Sequence, residues 1–280
     1  MKTLVLTLLC LAISGTAVGE TSADEWQFQL TPYIWLPTID GTLNYGPPPG
    51  SGGSPDVEIG PTDWLELLNF GVLMSGSARK GRFSMFTDVL YLSMTKNGDG
   101  RVVSVDGTVS GPGGSVSIPV SADLTLNTRT DFDGLVWTFA AAYTVKQTDA
   151  SSLDIFAGAR LFSVDFSTRW DLTAAITTPG GVELLAAQGG VGSDTDLWDA
   201  IVGVRGHVDL GNGKWSVPYY LDIGTGSSDL TWSAMTGLTR SVGWGEILFV
   251  YRHLEYDEDF DGLMQNFSFS GPAVGASFRF

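Results

Sequence analysis

The chain has 280 residues, 15 Lys+Arg against 31 Asp+Glu, a formal net charge of −16, 43% apolar residues, 36 glycines and a single cysteine. Low charge content with a mean hydropathy of +0.13 excludes a disordered chain, and the acidic balance argues against a nucleic-acid surface, which needs a basic patch. One cysteine excludes a disulfide framework, and two histidines leave little room for a zinc site.

Lys2 precedes an apolar run from Leu4 to Ile13, and small residues follow, with Ala17 and Gly19 in an A-x-G arrangement. This is the order of a secretory signal peptide over residues 1–19, cleaved before Glu20. About ten apolar residues are too few to span a bilayer as a helix. Leu9 stands before Cys10 where a lipoprotein carries a small residue. The leader holds Lys2 and no acid, so the exported chain, a single domain over 20–280, has a net charge of −17 and no cysteine.

From there the chain alternates with a period of two. Leu135, Trp137, Phe139, Ala141, Tyr143 and Val145 share one face; Leu153, Ile155, Ala157, Ala159 and Leu161 another; Trp198, Ala200, Val202 and Val204 a third. The opposite faces hold Asp, Arg and glycine at mid-strand, which would make a poor core for a sandwich but suit the lining of a barrel lumen. Strands are expected near 26–36, 68–79, 82–95, 130–146, 152–166, 196–209, 214–225, 229–240, 244–256 and 267–280. The expected fold is an all-β transmembrane antiparallel up-and-down barrel of ten strands. Twelve is the alternative, because Val116, Ile118, Val120, Ala122, Leu124 and Leu126 also alternate.

The aromatic residues fall in two rows. Phe83, Tyr143, Trp215, Trp244 and Phe280 stand beside short turns or the terminus, and Trp137, Trp198, Trp232 and Tyr251 toward the other ends. Two such rows flanking aliphatics are the girdles of a bilayer barrel. Connections alternate in length as well. Those at 80–81, 147–151, 210–213 and 241–243 are short, and those at 37–67, 96–129 and 167–195 are long, matching short periplasmic turns and long external loops. Gly46-Pro-Pro-Pro-Gly50, Gly111-Pro-Gly-Gly114 and Thr178-Pro-Gly-Gly181 are turn sequences, and alternation in the flanks of the last two reads as projecting hairpins. Asp63 to Leu68 reads as a short helical turn whose Trp64, Leu65, Leu67 and Leu68 need cover at the barrel mouth.

Late in the chain, Trp198-Asp-x-x-Val202-Gly-x-Arg205 is followed by Asp222-x-Gly224-x-Gly226-Ser-x-x-x-Thr231-Trp232. Then come Tyr251-Arg-x-Leu254-x-Tyr256-Asp257 and Gly271-Pro-x-x-Gly275 ahead of Phe280. Weaker matches occur at Leu30-Thr-Pro-Tyr-Ile-Trp-Leu36, Gly41, Asp88-x-x-Tyr91 and Gly158-x-Arg160. This pattern resembles a family of poorly characterised proteobacterial outer-membrane β-barrel proteins. The resemblance implies the fold and the outer membrane as location, and no activity. Val274, Ala276, Phe278 and Phe280 alternate outward to an aromatic carboxy-terminus, which resembles the signal read by the barrel assembly machinery.

A charge on the lipid face near the midplane costs roughly 2–4 kcal/mol, so mid-strand charges must point inward. Asp88, Arg160, Asp222 and Arg252 are expected at one luminal level with alternating sign, and Arg205 with Glu246 as a second pair nearer the periplasm. The network reads either as a plug or as the constriction of a narrow, cation-preferring path. Catalysis has few candidates. His253 with Asp257 and Asp259 is one, although His253 shares the parity of lipid-facing residues, and His207 lies near a periplasmic turn. A rim-active hydrolase around His253 and a docking platform built on the long hairpins are the rivals to the structural or porin-like reading. No cofactor is expected. Asp257, Asp259 and Asp261 with Gly262 resemble the opening of a calcium loop, but Ser268 stands where the bidentate Glu belongs. With Asp56, Glu58, Asp99, Asp106 and Asp194 these acids fit an external surface facing lipopolysaccharide and its divalent cations.

Overall fold

A computed structural model describes residues 25–43, 56–110, 117–178, 181–211, 214–257 and 264–280. The signal peptide expected over 1–19 lies outside the described residues. The strands are β1 (Gln27–Trp35), β2 (Thr38–Leu43), β3 (Asp56–Ile59), β4 (Leu68–Lys80), β5 (Phe83–Ser110), β6 (Ser117–Thr148), β7 (Ser151–Thr178), β8 (Gly181–Asp209), β9 (Trp215–Gly226), β10 (Leu230–Val242), β11 (Gly245–Asp257) and β12 (Met264–Arg279), with one helix, α1 (Pro61–Leu67). Neighbouring strands pair in the order β1-β4-β5-β6-β7-β8-β9-β10-β11-β12, all antiparallel, and β1 pairs β12 to close the ring. Ten strands make the barrel.

The two extra strands are not the pair that the twelve-strand alternative would need. Residues 117–126 form the distal part of β6, paired with β5 on one side and with β7 from Ser121 on. The additional strands arise instead within 37–67. The first barrel strand bends at Pro37, which lacks an N–H for the ladder, and resumes as β2 against the far half of β12; β3 then pairs with β2. Between β3 and β4, Pro61 opens α1 and the Asp63 carboxylate accepts from the Gly60 N–H at 3.3 Å. Trp64 is the buried residue of this helix, donating Nε1–H to the Pro37 carbonyl at 2.9 Å, while Leu65 stays exposed.

Strands β5 to β8 run far beyond the ends expected from the sequence, because the hairpins projecting from the barrel are continuations of its own strands. At the opposite end the connections are tight. Gly81, at φ 58°, makes the turn from β4 into β5 in a conformation that disfavours a Cβ. Phe28 and Phe280 exchange backbone hydrogen bonds of 2.8 and 3.0 Å, so the last residue is tied into the seam.

Candidate functional site

Inward parity falls on even residues in β5, β6, β7, β9 and β11, and on odd residues in β1, β4, β8, β10 and the barrel part of β12. Asp88, Arg160, Asp222 and Arg252 therefore all point into the lumen, where they form two ion pairs. Arg252 Nη1 lies 2.6 Å from Asp88 Oδ2, and the Tyr33 hydroxyl donates to Asp88 Oδ1 at 2.9 Å while accepting from Arg252 at 3.1 Å. The Arg252 guanidinium sits 5.0 Å from the Trp35 ring centre, an attractive cation–π placement. Arg160 donates Nη2–H to Asp222, Nε–H to Thr138 Oγ1 at 3.2 Å and Nη1–H to Thr231 Oγ1 at 3.2 Å. Both side chains of the Arg160–Asp222 pair are 0% exposed. A pair so dry holds only because each charge is compensated, and removing one partner strands the other.

Arg205 and Glu246 do not pair with each other. Their strands, β8 and β11, are separated by β9 and β10, and each finds a nearer partner. Arg205 shares Asp154 with Arg79, at 3.5 and 2.5 Å, and stacks its guanidinium 3.9 Å from the Phe86 ring centre. Glu246 takes Arg279 Nη2 at 2.5 Å, on the adjacent strand. Sequence reasoning missed Asp154 and Arg79, although their parity pointed inward. It also missed Asp199, which is buried and accepts from the backbone N–H and hydroxyl of Ser228, each at 2.8 Å, clamping the turn between β9 and β10.

The largest omission is apolar. Trp35, Leu90, Leu92, Val136, Phe162, Leu197, Leu254 and Tyr256 are buried together inside the barrel, with Phe267 and Phe269 packed against them. Phe162 on β7 reaches Phe267 and Phe269 on β12, with ring centres 6.1 and 6.2 Å apart, and Tyr256 at 4.8 Å. In a ring of ten strands β7 and β12 face each other, so this contact bridges the full width of the lumen. The signal was present as breaks in the alternation: Leu90, Leu92, Val136, Phe162 and Leu197 are apolar at positions that should be polar.

The outer face carries the opposite pattern. Phe83 and Tyr143 meet at 5.2 Å, as do Trp244 and Phe278, and Phe280 stacks on Phe28, all at the short-turn end. Trp215 lies there too, under Arg240. Toward the hairpins Trp137 and Trp198 pair at 6.4 Å, Tyr251 is exposed, and Trp232 lies against His253 at 4.3 Å. Immediately beyond Trp137 the outer face turns charged. Asp131 accepts from Arg129 Nε at 3.1 Å and from the Thr95 hydroxyl at 2.8 Å, Arg169 stands 3.4 Å away, and Tyr91 donates to Asp133 at 2.9 Å. The Arg129 hydrogen bond, with help from Thr95, holds the Asp131 carboxyl below the usual carboxylate range.

His253 does not meet Asp257, and its partners are other residues. Its Nδ1 is 2.6 Å from Ser270 Oγ and its Nε2 is 3.0 Å from Glu255 Oε2, on the outer face. His253 and Ser270 face each other in the β11–β12 ladder, and Ser270 pairs Thr38 on its other side, so the neighbouring amides are engaged in the sheet. Among the described residues those amides are therefore not free to hold an acyl oxyanion, and the contacts satisfy the ring nitrogens. His207 Nδ1 meets Ser152 Oγ at 2.8 Å near the short turns. Among the described residues no three His, Cys, Asp or Glu side chains group as metal ligands. Asp257 ends β11 exposed; Asp259 and Asp261 lie outside the described residues, as do the side chains of Asp56, Glu58, Asp99 and Asp106, while Asp194 is exposed on β8.

No family model matches the chain, and no curated protein does. Solved outer-membrane barrels are similar to it in fold. The translocator domain of the autotransporter NalP from Neisseria meningitidis is 10% identical, with 91% of this chain and 88% of that chain covered and a TM-score of 0.32. A Pseudomonas aeruginosa FadL homologue is 10% identical over 92% and 90%, with a TM-score of 0.27. Ail, the attachment invasion locus protein of Yersinia pestis, is 6% identical over 91% and 98%, with a TM-score of 0.29. At these values no activity transfers from any of them.

Proposed function

We propose that this chain is an exported outer-membrane barrel whose lumen is sealed at the hairpin end, and that it serves as a rigid scaffold holding long hairpins at the cell surface. The observation that carries the seal is the contact of Phe162 with Phe267 and Phe269 across the barrel. Fully burying an aromatic or branched apolar side chain contributes about 1.5–3 kcal/mol, so a layer of this size is a stable closure rather than a transient obstruction. Two ion pairs lie beside it, and the Arg160–Asp222 pair is fully buried.

The membrane reading rests on the outer face, where aromatic rows flank exposed Ile155, Val202, Leu221, Ile223 and Phe249, and where charge begins just beyond Trp137. The outward row Val274, Phe278 and Phe280 would be offered to the assembly machinery, and the acidic residues beyond the barrel to lipopolysaccharide and its divalent cations. A cation-preferring path is the weaker reading, because Arg79 and Arg205, 28% and 20% exposed, stand more open in the lumen than the Asp154 carboxylate they share, at 4%. An affinity tag placed between Ser110 and Ser117 tests the display. Antibody should label intact cells, and labelling only after permeabilisation would overturn the proposed orientation.

A further inference from the structure

Between the paired charges and the short turns the lumen is not filled. A cavity of about 520 Å³ runs from a mouth beside Asp209, Lys214 and Ser241 up to Tyr33 and Arg252. It exists because the strands differ at this height. β5, β7 and β9 project Phe86, Phe156 and Tyr220, whose rings pack together. β4, β10 and β12 contribute Ser75, Ser77, Thr239 and Gly275, which leave the opposite side empty. The volume falls within the range of small-molecule sites, about 300–1,000 Å³.

The wall has two chemical characters. On one side Arg79 and Arg205 share the single carboxylate of Asp154, so the trio has one positive charge in excess. Asp154 is also the least accessible of the three: its side chain is 4% exposed, against 28% for Arg79 and 20% for Arg205. Arg205 donates Nη2–H to the Ser84 hydroxyl at 3.1 Å and rests on Phe86, so it is held in place from the wall side. Of the other lining charges, Asp88 pairs with Arg252 and Glu246 with Arg279, while Asp209 and Lys214 bring one charge of each sign to the mouth. On the other side Met235, Leu248 and Val250 line the cavity. A chain of net charge −16 thus presents a pre-positioned cationic fork opposite an apolar wall.

We propose that this cavity binds a small carboxylate with an apolar body, the carboxylate on Arg79 and Arg205 and the body along Met235, Leu248 and Val250. Binding itself does not depend on the sealed-lumen reading; only the approach from the periplasm does. The test is calorimetric titration of the refolded mature chain in non-ionic detergent with 4-phenylbutyrate and with its uncharged amide. The acid should bind one to one and at least tenfold more tightly than the amide. Arg205→Gln should weaken the acid at least tenfold, and Val250→Trp, which fills the space and leaves every charge in place, should abolish binding. Each variant is scored only when it remains heat-modifiable on a gel; if Arg205→Gln does not fold, the acid–amide difference and Val250→Trp decide. Equal binding of acid and amide, no binding to folded wild type, or unchanged affinity in either folded variant would overturn the proposal.

Discussion

The two halves of the lumen solve one packing problem in opposite ways. At the hairpin end, large apolar side chains from facing walls meet in the middle, and the Arg160–Asp222 pair beside them has no exposure at all. At the short-turn end, the packed rings of Phe86, Phe156 and Tyr220 come from β5, β7 and β9 alone, and the Arg79–Asp154–Arg205 cluster keeps its guanidiniums open to a cavity. A ten-stranded ring is narrow enough for side chains to fill, so the choice between plug and cavity falls to residue size on β4, β10 and β12 rather than to the backbone.

If that contrast is right, substitutions of similar chemistry should differ by where they fall. Arg160→Ala leaves Asp222 buried and unpaired and should cost about 3–5 kcal/mol, read as a lowered urea midpoint of the refolded barrel. Arg160→Met combined with Asp222→Leu should recover most of that loss, since no buried charge is stranded. Leu254→Ala, in the sealed half and 0% exposed, should cost about 2–5 kcal/mol by the same assay, whereas Leu248→Ala, beside the cavity, should cost less than about 1 kcal/mol. Equal losses at Leu254 and Leu248 would erase the difference between the halves.

The smallest effect lies outside the barrel. The Asp131 carboxyl is held below its ordinary value, so its pairing with Arg129 and Arg169 contributes fully above about pH 4 and is lost as pH falls through the lowered folded value. Proteolysis of the β5–β6 hairpin should accelerate in that acid window, and Asp131→Asn should remove the pH dependence while leaving the barrel's urea midpoint unchanged.

Much of this architecture could be read from the sequence, because a two-residue period sets which side chains face inward and the alternation of short and long connections points to ten strands, with twelve left open by the alternation over 116–126. The parity of Asp88, Arg160, Asp222 and Arg252 followed directly. Partners did not: Arg205 faces Asp154 in the β7–β8 ladder and Glu246 meets Arg279 on the adjacent strand, and a long Arg79 side chain reaches Asp154 three strands away. The bend at Pro37 was visible as a residue, but its consequence, β2 pairing with the far half of β12, is a tertiary event. The seal was the least legible part. Leu90, Val136 and Phe162 break the amphipathic pattern one by one, and only the closed ring shows that they belong to one cluster.

Single-channel recording of the refolded mature chain in a planar bilayer tests the central claim most directly. A heat-modifiable barrel should give no discrete conductance steps, and Phe162→Ala with Tyr256→Ala should give them. Steps from the wild-type chain would show an open lumen and contradict the seal.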